Sequence, residues 1–314
     1  MPRLINCCDQ TSKGLTMNSS QSFETIRGEI RYKELMAKHT SWGVGGPADY
    51  WFVPEDKRDL AEFVTVLPQS VPLFWMGLGS NLLIRDGGIR GAVVCTHKGL
   101  SSLRTRVPDR VEVGAGVPCA KVARFCARAG LSGSEFFAGI PGTIGGALAM
   151  NAGAYGRETW DVVYRAEILR RDGHLDVRSR SEFHVGYRSI SISVDEWFTG
   201  AVFQFKRQDP SAVQKKIRAN LSDRSGTQPI GSSNAGSVFK NPVDDYAARL
   251  IESAGLKGWR IGGASVSLKH ANFIINDGCA SASDIEELIL YVKDEVLRQF
   301  DVELKIEVNI VGVV

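Results

Sequence analysis

The chain has 314 residues, 43% of them hydrophobic and 23% charged, with a formal net charge of +3. These are globular proportions, and the length exceeds what one ordinary core serves, so two or three domains are expected. The mild positive charge does not argue for a nucleic-acid partner, though it suits an anionic ligand, and no run reaches the ~18–20 apolar residues of a membrane span.

Residues 1–22 are rich in Ser, Asn, Gln and Thr, carry no apolar signal core, and are expected to form a mobile tail. Over 23–102, the first expected unit, helix and strand patterns alternate. Leu60, Phe63, Val64 and Leu67 recur at i, i+3, i+4 and i+7, one face of a helix, while Val71–Met76 and Gly91–Thr96 read as buried strands. A second unit, 103–208, holds a strand at Val111–Ala115 and a helix whose stripe Val122, Phe125, Cys126 and Ala129 ends at Gly130, a C-terminal cap. Asp172 and Gly173 mark a hairpin. Asp209 and Pro210 supply an N-cap and a first helical position. Val213, Ile217 and Leu221, spaced by four, place that helix at the start of a third unit, 209–314. There one helix ends at Gly255 and another opens at Ser283 with Glu286 as its capping-box partner. The stretch Glu303–Val311 alternates as a strand, with Leu304, Ile306, Val308 and Ile310 on one face and Glu303, Lys305, Glu307 and Asn309 on the other.

Six cysteines are scattered without a Cys-x-x-Cys pair and the five histidines lack ligand spacing, so no metal site is expected, and Cys119 and Cys126, on one helical pattern, read as buried reduced thiols. The chemistry lies in two glycine loops. The first runs from Gly77 through Gly79, Ser80 and Asn81 to Asp86. The second, 139–156, contains ten Gly or Ala among eighteen residues and no charge. With so little side chain, backbone can approach a ligand closely. Neither loop ends in the Gly-Lys-Ser/Thr of a P-loop. Gly77 and Gly79 start a dinucleotide fingerprint, but Leu82 stands where its third glycine belongs and a strand pattern follows, so a Rossmann domain fits poorly. What remains is a nest of backbone N–H groups with Ser80 and Asn81 as polar donors; taken alone, a tight turn between strands fits equally well. Gly139, Gly142, Gly145 and Gly146 recur within eight residues, Pro141 stiffens the entry and Thr143 adds a hydroxyl. Two such loops suggest a large phosphate-bearing cofactor held from both sides.

Six motifs then occur in order: His39–Asp49 (His-Thr-Ser-Trp-Gly-Val-Gly-Gly-Pro-Ala-Asp), the 77–86 loop, the 139–156 segment, Gly186-Tyr-Arg188, Ala235–Pro242 (Ala-Gly-Ser-Val-Phe-Lys-Asn-Pro) and the stretch containing Glu307. By these the chain, over roughly 25–312, resembles the UDP-N-acetylmuramate dehydrogenase (UDP-N-acetylenolpyruvoylglucosamine reductase) family of peptidoglycan precursor synthesis. It is similar to the shorter subtype, since the twelve residues between Arg188 and Ala201 leave no room for the extra tyrosine-bearing loop of longer members.

The resemblance implies an α+β fold: two FAD-binding subdomains of the vanillyl-alcohol-oxidase type and a C-terminal α/β substrate-binding domain. It implies noncovalent FAD held by Gly77, Gly79, Ser80 and Asn81 on one side and Gly139, Gly142, Thr143, Gly145 and Gly146 on the other; no histidine stands in 77–86 for covalent attachment. It implies NADPH as reductant, a nucleotide-sugar substrate, and a cytoplasmic site of action. Arg188, Ser237 and Glu307 match the catalytic set, as carboxylate binder, proton donor and polarising carboxyl. Arg224, Gln228, Lys240, Asn241 and His270 are implied substrate contacts. Two other readings stay open on the residues: an FAD-linked oxidase or dehydrogenase of a sugar or hydroxy acid, and a nonenzymatic nucleotide-sugar binder. The oligomeric state is not legible.

Overall fold

The computed structural model describes residues 23–314, so the expected mobile tail, 1–22, lies outside the described residues. The first sheet is built from β1 (Glu29–Leu35), β2 (Pro47–Val53), β3 (Leu73–Met76) and, after the separate short strand β4 (Leu82–Ile84), β5 (Ile89–Cys95). Its order is β1-β2-β5-β3, antiparallel at β1/β2 and parallel elsewhere. Helix α1 (Lys57–Val66) starts where the Asp56 side chain accepts from the backbone of Arg58 and Asp59, and it lays Leu60, Phe63 and Val64 on the sheet with Leu67 just past its end. Val71 belongs to a turn closed by its N–H to Pro68 O, so β3 begins two residues later than the apolar run suggests.

The second sheet has five antiparallel strands. They are β6 (Leu103–Val107), β7 (Arg110–Gly114), β8 (Val163–Arg170), β9 (Leu175–Ser179) and β10 (Glu196–Gln204), in the order β9-β8-β10-β7-β6. β8 and β9 form the hairpin marked by Asp172 and Gly173. Val122 and Cys126 of the helix Cys119–Arg128 are buried against the sheet; Ala129 caps it and is exposed, and Ala123 and Ala127 complete the buried face. The small-residue segment is not loop throughout: Ile144–Ala149 form a short helix, with Ile144 and Leu148 buried in the same core.

The helix Pro210–Thr227 begins at the expected Asp209 cap. Val213 and Ile217 are buried beneath it, but Leu221 is 41% exposed, because the helix has by then run past the core it rests on. The third core packs Ala247–Ser253 and Ala282–Phe300 over a three-stranded antiparallel sheet of Arg260–Ile261, Ala264–Val266 and Ile274–Asn276. The long helix is capped two residues earlier than expected. Ser281 accepts from Asp284 N at 3.0 Å and Asp284 accepts from Ser281 N at 3.0 Å, while Ser283 N donates to Asp86 at 3.1 Å. The alternation over Glu303–Val311 survives in burial, with Leu304 and Val308 inside and Glu303 and Lys305 outside. A named strand covers only Asn309–Val311, because residues before it meet a loop instead of a strand: Lys240 N donates to Lys305 O and Glu307 N to Val238 O.

This third unit is tied to the first. Asn309–Val311 pair in parallel with β4. Trp42 Nε1 donates to Ile274 O at 2.8 Å and Asn276 Nδ2 to Trp42 O at 2.7 Å. Arg85 grips Glu286 through two nitrogens, each at 2.8 Å. No helix among the described residues is long and apolar enough to cross a membrane.

Candidate active site

The two glycine loops face each other across a cavity of about 540 Å³. A methyl group added at Gly77 would overlap the Thr143 hydroxyl, and one at Gly142 would lie 3.4 Å from Ser80 Oγ, so the loops touch at one end. Gly79 has φ 63°, a left-handed value, and any side chain there would strike the carbonyl of His39. Gly146 lines the cavity, and a Cβ there would meet nothing within 4 Å, so this wall is bare backbone bordering open space. Trp75, Met76, Ile140 and Met150 add apolar side chains to the lining beside residues 77–81.

Charge enters from three other segments. Arg188 sits in the two-residue turn between Val185–Gly186 and Ser189–Ile190, with φ 51°. Its Nη1 and Nη2 both lie 3.4 Å from Gly153 O, and its Nε lies 3.2 Å from Glu307 Oε1. That Nε is buried and poorly angled for a hydrogen bond, so the contact is an ion pair with donor capacity left over. Glu307 is held through its main chain: its N–H donates to Val238 O at 2.7 Å and its carbonyl accepts from Asn81 Nδ2 at 3.1 Å. Burial pushes the Glu307 carboxyl above its ordinary pKa, and the opposing pull of Arg188 and Lys240 is the smaller influence. Ser237, half-buried after Gly236 (φ 78°), lines the same cavity. Arg224 is a desolvated cation whose pKa burial lowers; its Nε donates to Gln228 Oε1 at 2.9 Å, and no carboxylate pairs with it among the described residues.

The fold therefore gathers Gly77, Gly79, Ser80, Asn81, Gly139, Gly142, Thr143, Gly146, Arg188, Arg224, Gln228, Ser237 and Glu307 around one space. Gly145 faces away, its N–H bonded to Ala115 O. Three expected substrate contacts lie outside the cavity wall. Lys240 reaches Glu307 only electrostatically. Asn241 accepts from Ala247 N at 3.2 Å and so caps a helix. The His270 ring stands edge-on to Phe273, and burial lowers its pKa. Tyr155 lines the cavity without having been singled out, its hydroxyl donating to Asn220 O at 2.6 Å; an aromatic ring in a run of Gly and Ala was the available signal.

Residues 228–311 match the family described as UDP-N-acetylenolpyruvoylglucosamine reductase, C-terminal domain, and residues 48–177 match the FAD binding domain family. A UDP-N-acetylenolpyruvoylglucosamine reductase from Alkalilimnicola ehrlichii is 54% identical over 285 residues, covering 91% of this chain and 95% of the relative. One from Methylococcus capsulatus is 52% identical, covering 91% and 94%. The crystal structure of the UDP-N-acetylenolpyruvylglucosamine reductase from Thermus caldophilus superposes with a TM-score of 0.78 at 32% identity, covering 90% of this chain and 98% of that one.

Proposed function

This chain belongs to the UDP-N-acetylenolpyruvoylglucosamine reductase family, and we propose that it uses NADPH and noncovalent FAD to reduce the enolpyruvyl ether of UDP-N-acetylglucosamine to the lactyl ether. In this reading 23–102 and 103–208 hold the flavin, 209–314 holds the nucleotide sugar, and the reaction runs in the cytoplasm. The observation that supports it best is the convergence of Arg188, Ser237 and Glu307, from three separate segments, on the cavity that the two uncharged glycine loops border.

FAD fits that space: the bare backbone at Gly146 leaves open the room that a side chain there would fill, and the lining residues include no histidine or cysteine for a covalent bond. Held between the 77–81 and 139–146 loops, FAD would supply hydride chemistry at C3 of the vinyl ether, with NADPH as its reductant. The rest falls to side chains of the chain itself. Arg188 stays charged and offers a fork of donors, so it binds the substrate carboxylate and stabilises negative charge developing there. Burial shifts Glu307 toward its protonated form, and in that form it donates a hydrogen bond to that group instead of repelling it. Ser237 Oγ delivers a proton to C2. Arg224, a half-buried cation with no acidic partner among the described residues, meets a phosphate of the nucleotide.

The test is the visible spectrum of the purified protein followed by NADPH titration without oxygen. A yellow protein bleached by NADPH and reoxidised by the enolpyruvyl nucleotide is expected. A colourless protein that takes up no FAD overturns the reading, and rapid reoxidation by air alone would favour an oxidase.

A further inference from the structure

Asn151 is fully buried, sits in the left-handed region at φ 44°, and ends the Ile144–Ala149 helix. Ala152 N bonds to Ala147 O and Asn151 N to Leu148 O, the hydrogen-bond pair of a Schellman cap. Glycine is the usual residue at such a position. An asparagine there invites the question of what its amide does, and every polar atom of that amide is engaged. Oδ1 accepts from Trp160 N at 3.2 Å, and Nδ2 donates to Glu158 Oε2 at 2.6 Å and to Gly186 O at 3.0 Å.

Gly186 is the last residue before the turn that presents Arg188. Two residues beyond Asn151, the Gly153 carbonyl faces both terminal nitrogens of Arg188. The same short stretch thus holds the turn at its base and the guanidinium at its tip. Arg188 needs holding, since φ 51° is a conformation that L side chains rarely adopt. We propose that Asn151 is a positioning residue: its amide clamps Gly186 and thereby fixes the orientation in which Arg188 meets the substrate carboxylate. This rests on the carboxylate-binding role given to Arg188 above.

The clamp is tested by calorimetric binding to the flavin-loaded oxidised protein, using two ligands, UDP-N-acetylglucosamine and its 3-enolpyruvyl ether. Only the second carries the carboxylate. Asn151→Gly keeps the helix cap and removes the amide; Asn151→Asp keeps the bond from Trp160 N but loses both donations, and serves if the glycine variant is poorly folded. Either is expected to weaken the enolpyruvyl ligand about tenfold or more, the scale of a misplaced charged hydrogen bond, and to leave UDP-N-acetylglucosamine within about twofold. On an Arg188→Ala background the same change is expected to add almost nothing. Equal weakening of both ligands, or a loss undiminished without Arg188, overturns the clamp in favour of general loosening. If Arg188→Ala alone discriminates between the ligands but the Asn151 variants bind as wild type, the clamp fails and the role of Arg188 stands. If Arg188→Ala binds both as wild type does, that role fails first and the clamp with it.

Discussion

A serine hydroxyl gives up its proton reluctantly, so Ser237 can serve as a donor only toward a centre as basic as a developing carbanion. Ser237→Ala is therefore expected to leave flavin reduction by NADPH nearly intact and to slow the oxidative half-reaction by ~10² or more; stopped-flow measurement of the two halves checks this, and equal loss in both would make Ser237 structural. Glu307 carries a second prediction, of opposite character. Its folded pKa lies above the ordinary 4.5 because burial disfavours the charge. A raised folded pKa means that its contribution to stability is complete below the unfolded value and is lost as pH rises through the folded one. Wild type should thus lose stability relative to Glu307→Gln with rising pH, by at most about 1.4 kcal/mol per unit for one proton. Urea unfolding of both proteins from pH 4 to 8 reads the slope, and a difference of the reverse sign would mean that Arg188 outweighs burial.

Capping shows at the level of elements how one segment is finished by another. The first turn of the helix Ala282–Phe300 uses Ser281 and Asp284 locally and Asp86 from the first glycine loop, which accepts from Ala282 N at 3.0 Å and Ser283 N at 3.1 Å. Asp86→Ala should cost about 0.5–1 kcal/mol in denaturant unfolding, the lower part of the capping range because Asp86 is exposed. Asp86→Asn should recover much of that loss, since its amide oxygen still accepts. The Glu303–Val311 stretch makes the complementary point. Its alternation reports correctly which side chains are buried, yet ahead of Asn309 its backbone bonds to the Val238–Lys240 loop, which is how Glu307 comes to stand near Ser237.

At the scale of the whole molecule, the cavity has walls from all three units, so a ligand there binds the assembled arrangement and not the unfolded chain. Filling it with FAD at 100 times the dissociation constant should stabilise the protein by about 2.7 kcal/mol. Thermal melts of flavin-stripped and reloaded protein test this. A melting temperature insensitive to FAD would place the flavin elsewhere or nowhere.

Much of this was legible from local pattern. The face Leu60, Phe63 and Val64, the caps at Asp209 and Gly130 and the hairpin at Asp172 and Gly173 all depend on neighbours a few residues away, and the structure carries each of them. The glycine loops and the three separated motifs around Arg188, Ser237 and Glu307 were likewise visible as residue types. What their spacing could not say is that Gly77 meets Thr143, that Asp86 caps a helix nearly two hundred residues on, that Lys240, Asn241 and His270 stand outside the cavity wall, or that Asn151 reaches Gly186. The sequence by itself determined which segments could form helices, strands and close-approach loops, because those preferences are local. Only the tertiary structure decided which loops oppose each other and how far Glu307 is desolvated, because burial and long-range contact exist only once distant segments have packed together.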